Sequence, residues 1–308
     1  TRGWELSVNW RDQIGKVGYR VGFNLSDSQS KIVKYNSNES GILTSTLSNG
    51  STFWNYYEGK DLGEIWGYEY DGFYTVDDFT DTSSWKLKEG VPSIDGYNPR
   101  PGDVKFKNLM DDDRGTNMIS GGDNTVSNPG DRKVIGNNTP RYLYGITLGA
   151  NFKGFDLNVF MQGTGKRDAW IANNLKFPLY SDFKFIALYK DLGNYWKPVD
   201  AANGDYTAAN PNAEFPRIYG NYGNQGSNYR QSDKYLSDAS YFRIKNVTLS
   251  YTFPKAWITK ASLSQLKAFV SIENLATFSS LPKGIDPETL SWNYPAFRTV
   301  SFGLNVTL

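Results

Sequence analysis

Every second side chain is apolar in a series of segments about ten residues long, the spacing that gives a β-strand one apolar and one polar face. In the first, Trp4, Leu6, Val8 and Trp10 alternate with Glu5, Ser7, Asn9 and Arg11. A turn near Gln13-Ile14-Gly15 leads to Val17, Tyr19, Val21, Phe23 and Leu25, which alternate with Gly18, Arg20, Gly22, Asn24 and Ser26 and predict a hairpin. Tyr142, Tyr144, Ile146, Leu148, Ala150 and Phe152 repeat the pattern, and a Lys153-Gly154 turn joins them to Phe155, Leu157, Val159 and Met161. Val247, Leu249, Tyr251 and Phe253 form a fifth segment, and Leu266, Ala268, Val270 and Ile272 a sixth. In the last, Val300, Phe302, Leu304, Val306 and Leu308 oppose Thr299, Ser301, Gly303, Asn305 and Thr307. The expectation is an all-β chain of about seven strands, since the helical template fits none of these segments as well.

A soluble sandwich would bury the apolar faces against a second sheet, whereas a membrane barrel turns them toward lipid and keeps polar residues toward a wet lumen. The connections discriminate. If strand direction alternates backward from a chain end on the periplasmic side, the connections at 13–15, 153–154 and 254–263 fall on that side, and those at 27–140, 164–241 and 276–296 fall outside. Every short turn then lies on one side and every long loop on the other, the asymmetry of a transmembrane barrel. Trp10, Phe152, Phe155, Tyr251 and Phe253 sit on the apolar faces beside the short turns, where an interfacial girdle belongs. No charge is expected on those faces. The prediction is an antiparallel transmembrane β-barrel portion, with 27–140 and 164–241 as long extracellular loops.

Composition narrows the chemistry. The 308 residues include no His and no Cys, which removes Ser-His-Asp and Cys-His nucleophilic sites, Cys/His zinc sites and disulfides. A formal charge of +1 argues against a nucleic-acid partner. No stretch of about 18 apolar residues offers a helical span. A mean hydropathy of −0.55 agrees with a barrel, because only half of each strand faces lipid and the loops are polar. The opening TRGWELSVNW has neither a basic nor an apolar leader region, so a mature or internal portion of a longer polypeptide is expected.

Candidate sites are few. Asp77, Asp78 and Asp81 beside Trp85 could be glycosidase carboxylates with a sugar platform, but acidic residues this close in a loop more often face solvent, and no enzyme is predicted. The flat aromatics Trp54, Tyr56 and Tyr57 in the first long loop, and Trp170, Tyr180, Tyr189, Tyr195 and Trp196 in the second, suit stacking on sugars or a protein partner. They suit equally well small cores beneath the loops.

Several runs carry a resemblance. GDRKVIGNNTPRYLYGITLGANFKGFDLNVFMQGTG, YFRIKNVTLSYTFPKAW, IENLATFSSLPKGIDPE and YPAFRTVSFGLNVTL resemble, in order, the C-terminal third of SusC/RagA-type TonB-linked outer-membrane transporters, and TRGWELSVNWRDQIGKVGYRVGFNLSD resembles the part just upstream. The resemblance implies a barrel of about 22 strands with an N-terminal plug. It also implies import of oligosaccharides or peptides across the outer membrane of a Bacteroidetes-type bacterium, a SusD-like lipoprotein at the extracellular mouth, and energy from TonB. About seven strands do not close such a barrel, so the remaining strands come from elsewhere in the polypeptide or from another chain. Family members often carry an EF-hand-like acidic stretch after a segment like PGDVKFKN; here NLMDDDRGTNMISGGDNTVSNPGD has lost its Gly spacing. Asp111, Asp112, Asp113 and Asp123 could still gather Ca²⁺, although a solvated acidic loop is the simpler reading and no other cofactor is expected. The terminal Phe302, Leu304, Val306 and Leu308 form the strand expected to close the barrel.

A second function class remains open, a non-transporting surface β-protein such as an adhesin or glycan-binding module. Extraction separates the two, because a barrel segment needs detergent and a sandwich does not.

Overall fold

The computed structural model describes residues 1–48, 51–110, 117–172, 176–177, 190–219, 227–259, 262–290 and 296–308. The chain divides into two units: Thr1–Ser30, Thr139–Asp168 and Asp238–Leu308 form one, and Lys31–Asn138 and Ala169–Ser237 the other.

The first unit is a seven-stranded antiparallel sheet in sequence order. Its strands are β1 (Arg2–Ile14), β2 (Val17–Gln29), β3 (Arg141–Phe152), β4 (Phe155–Lys166), β5 (Tyr241–Thr252), β6 (Gln265–Ser279) and β7 (Thr299–Thr307). The first turn is Gly15-Lys16, one residue beyond the expected position, with Gly15 at φ 59°, as the first central position of a type II′ turn requires. Lys153 at 46° and Gly154 at 90° make the type I′ turn between β3 and β4. A one-turn helix, Lys255–Ile258, lies in the connection from β5 to β6 at the same end. The long connections leave from the opposite end, where Ser26 pairs with Leu143 and Thr164 with Tyr241.

Register aligns the apolar positions into continuous rows. One runs Val8, Phe23, Ile146, Met161, Ile244 and Ala276, and another Leu157, Leu249, Val270 and Phe302. None of the large apolar side chains in these rows is buried; Trp10 is 60% exposed and Phe302 82%. In water such a face would have to be covered. A sandwich interior is therefore not what these rows form.

Aromatic residues bound the rows at both ends. Phe155, Tyr251, Phe253 and Trp257 follow one another at centroid spacings of 4.6, 5.1 and 6.4 Å beside the tight turns. Tyr144, Phe242 and Phe278 stack at 6.5 and 6.0 Å at the other end. From Tyr144 to Phe152 there are nine residues inclusive, within the roughly 9–11 that a tilted strand needs to cross a bilayer. The upper belt and Trp257 were not part of the sequence expectation.

The expectation of an uncharged apolar face needs correction. Asp12 pairs in register with Tyr19, and Asp27 with Trp4, so both stand in the apolar rows. Each lies at a strand end, where a charge reaches headgroups or water, and Asp27 is clamped by both oxygens to the Nε and Nη2 of Arg141.

The second unit has a dry interior of its own. Tyr74, Phe79, Val104, Phe106, Phe177 and Tyr235 are among the buried side chains of one cluster, and Leu43, Tyr57 and Trp66 form another. Its strands are short, such as Glu64–Tyr68 paired with Arg132–Asn137.

Candidate functional site

The polar face of the sheet carries an ionic cluster placed by a break in strand pairing. Lys245 is skipped in the register on both sides of β5: Asn246 pairs with Phe160 and Glu273, and Ile244 with Met161 and Ala276. This bulge restores the alternation, so that Phe242 and Ile244 return to the apolar rows and Arg243 faces the polar side. Arg243 is 2% exposed. Its Nη2 donates to Asp286 Oδ2 at 2.9 Å, its Nε to Thr277 Oγ1 at 2.8 Å, and its Nη1 lies 2.9 Å from Glu288 Oε1. Lys245 Nζ reaches both oxygens of Glu288 at 3.0 Å, and Gln162 Nε2 donates to Oε1 at 2.7 Å. Arg167 Nη1 donates to the carbonyls of Pro287 and Glu288. The connection between β6 and β7 is thus folded back onto the polar face of its own sheet. Burial pushes the Asp286 carboxyl up, but the Glu288 backbone N–H and the Arg243 guanidinium outweigh it and hold it below the usual carboxylate range.

In the loop unit two buried aspartates do comparable work. Asp103 is fully buried and accepts from Tyr219 Oη at 2.6 Å, Asn228 Nδ2 at 2.9 Å and the Arg100 N–H at 2.7 Å. Asn228 Oδ1 in turn accepts from the Val104 N–H at 2.8 Å, so the second insertion is stapled to the first. Burial raises the Asp103 carboxyl above its ordinary range despite these donors. Asp131, also fully buried, accepts from the N–H groups of Leu109, Met110 and Ser120. Both follow a Pro-Gly step, Pro101-Gly102 and Pro129-Gly130, with the glycines at φ 89° and 63°. That repeated Pro-Gly-Asp is the mark the two sites leave in the sequence.

The aromatic candidates scatter. Tyr57 and Trp196 are buried, and Trp54, Trp170 and Tyr195 are half-buried against the loop unit's cores, so these rings serve packing rather than an open binding surface. Tyr56 is 55% exposed, with Tyr35 set edge-on against it at 6.1 Å. Tyr180 and Tyr189 lie outside the described residues, as do Asp111, Asp112 and Asp113. Asp123 accepts from the N–H and Oγ1 of Thr125, which ties it into its own turn. Asp78 accepts from the Thr75 N–H, and Asp81 from the N–H groups and hydroxyls of Ser83 and Ser84. Those carboxylates hold loop backbone, and Trp85 packs edge-on against Phe79 and Tyr206. On β7, Phe302, Leu304 and Val306 are all exposed along the apolar side, Leu308 lies exposed just past the strand's end, and the strand pairs with β6 through nine register positions from Gln265↔Thr307 to Glu273↔Thr299.

No protein-family model matches the chain. Among curated proteins, it is similar to TonB-dependent receptor P3 of Formosa agariphila, at 28% identity over 99% of this chain and 28% of the relative. TonB-dependent receptor P39 of the same organism is 22% identical over 99% of the chain and 30% of its own length. The chain therefore spans less than a third of these relatives. Among solved structures, it is similar to a chain of the RagAB peptide transporter (TM-score 0.62, 19% identity, 99% of this chain and 29% of that one). A chain of the RagAB peptide importer in the 'closed-closed' state matches with a TM-score of 0.63 at 19% identity, again over 99% and 29%. The fold is thus that of a stretch of a larger β-barrel, in agreement with a sheet that is apolar along one face and carries charges on the other.

Proposed function

We propose, from the premise that this chain is a segment of a SusC/RagA-type receptor barrel, that the complete protein imports a large nutrient, an oligosaccharide or a peptide, across the outer membrane. The observation that carries this reading is the two-sided sheet: a nine-residue apolar span between aromatic belts on one face, and the buried Arg243 and Asp286 with the half-buried Glu288 on the other. A strand row exposed to lipid while its opposite face holds satisfied charges suits a barrel with a wet lumen.

In this reading the cell is a Bacteroidetes-type bacterium, and 27–140 and 164–241 face outward and meet a SusD-like lipoprotein. Energy arrives from TonB through a part of the receptor outside these residues, and the remaining strands come from the rest of that receptor. The stapled core of the loop unit supports a rigid landing surface better than a loose loop would. Tyr56 is the described aromatic candidate best exposed for such a contact.

The test is uptake. A strain lacking the receptor should lose growth on one class of polymer, peptide or oligosaccharide, regain it with the intact gene, and lose it again when TonB is depleted. Undiminished growth of the deletion strain across both classes would overturn the import reading.

A further inference from the structure

Arg11 on β1 stands directly opposite Arg20 on β2, and both lie on the polar face. Like charges at directly opposed antiparallel positions destabilise the pair. Some cations of this sheet are matched, Arg243 and Lys245 with Asp286 and Glu288 and Arg141 with Asp27. Among the described residues, no carboxylate pairs with Arg11 or Arg20. Nor are these freely waving side chains. Arg20 lies along Gly149 on β3, so closely that a Cβ there would be 2.5 Å from its Nε. A groove of about 440 Å³ opens beside the pair, with Asn9, Gly22 and Thr147 also among its lining residues.

Two guanidinium forks beside an amide and a hydroxyl match the oxygens of a carboxylate, which can accept from both. We propose that Arg11 and Arg20 form a carboxylate-binding groove whose occupant is an Asp or Glu side chain of the receptor polypeptide outside these 308 residues. A solute is present only during transport, whereas the repulsion between the two arginines exists in every state of the barrel and calls for a resident counter-charge. The inference rests on the transporter reading, because a closed barrel is what turns this face inward.

Zero-length crosslinking of the full-length receptor in outer membranes tests it. Arg11→Lys and Arg20→Lys, made singly, keep the charge and supply an amine that a carbodiimide joins to a carboxylate in contact. Lys245 and Glu288, 3.0 Å apart, give an internal reference link that reports native folding in each variant. The expected result is a crosslinked peptide joining position 11 or 20 to an Asp or Glu beyond this segment. With the reference link present, no link at either position, or links confined to these 308 residues, overturns the proposal, and a solute as occupant gives the former result. Fractionation separates this failure from that of the broader reading: a receptor found in the outer membrane without the link loses only the groove, whereas one absent from that membrane loses the transporter role.

Discussion

The Phe269 ring on β6 lies across Gly303, its register partner on β7, so closely that a Cβ at 303 would fall inside the ring's van der Waals surface. An aromatic ring laid over a cross-strand glycine covers backbone that would otherwise be bare, and it fixes the register of the pair. Gly303→Val should displace the ring and cost about 1–3 kcal/mol of barrel stability. Adding Phe269→Ala should recover part of that loss. Unfolding of the receptor in detergent micelles measures both, and strictly additive effects would mean that the two side chains do not share this space.

Leu304 and Asn305 are neighbours on β7 that face opposite ways. Leu304, 67% exposed in the apolar row opposite Ala268, should tolerate Arg poorly, at a cost of ~2–4 kcal/mol near the bilayer midplane. Asn305→Arg, on the polar side opposite Lys267, should cost far less. Heat-modifiability that ranks the two the other way would reverse the assignment of faces.

Arg243→Met removes the cation that Asp286 and Glu288 share. Breaking a buried pair from one side costs roughly 3–5 kcal/mol, since a charge is left without its partner. Limited proteolysis should then cut within 281–290, a stretch expected to resist in the parent protein. The triple variant Arg243→Met, Asp286→Asn, Glu288→Gln should regain much of the stability but not the protection.

Glu69 sits between Lys107 and Lys133, which hold its carboxyl down to about 2 from an ordinary 4.5. A depressed carboxylate contributes stability that is fully present above its unfolded value and lost as pH falls through its folded one. The loop unit should therefore weaken between pH 4.5 and about 2, and Glu69→Gln should flatten that part of the curve. Thermal unfolding followed by Trp fluorescence across this window provides the check. Both lysines are exposed, so the effect is small and fades with added salt.

The strands of the sheet were legible because alternation over ten residues is a strong signal when one face meets lipid and the other water. Their phase was less so. In YFRIKNVTL the apolar set shifts from Phe242 and Ile244 to Val247 and Leu249, which marks the bulge at Lys245, yet a reading begun at Val247 misses it. The long insertions hide their fold for a different reason. Their strands are three to five residues long at Thr44–Thr46, Thr52–Trp54 and Glu64–Tyr68, too short for any period, and what orders them is the burial of Asp103 against partners far along the chain and of Asp131 against backbone of its own insertion. Aromatic residues in such segments look like free contact groups until the packing is known, as Tyr57 and Trp196 illustrate.

Two belts fixed on one rigid strand act as a ruler for lipid. Tyr144 and Phe152 cannot change their separation without breaking the β3 ladder, so the membrane must adapt to the protein. A bilayer of longer acyl chains would either drown the belts in hydrocarbon or thin around the barrel, each at a fraction of a kcal/mol per ångström. Reconstitution should accordingly go best in short-chain lipids, and on the proposed reading a thin outer membrane becomes a condition for assembly as well as a destination.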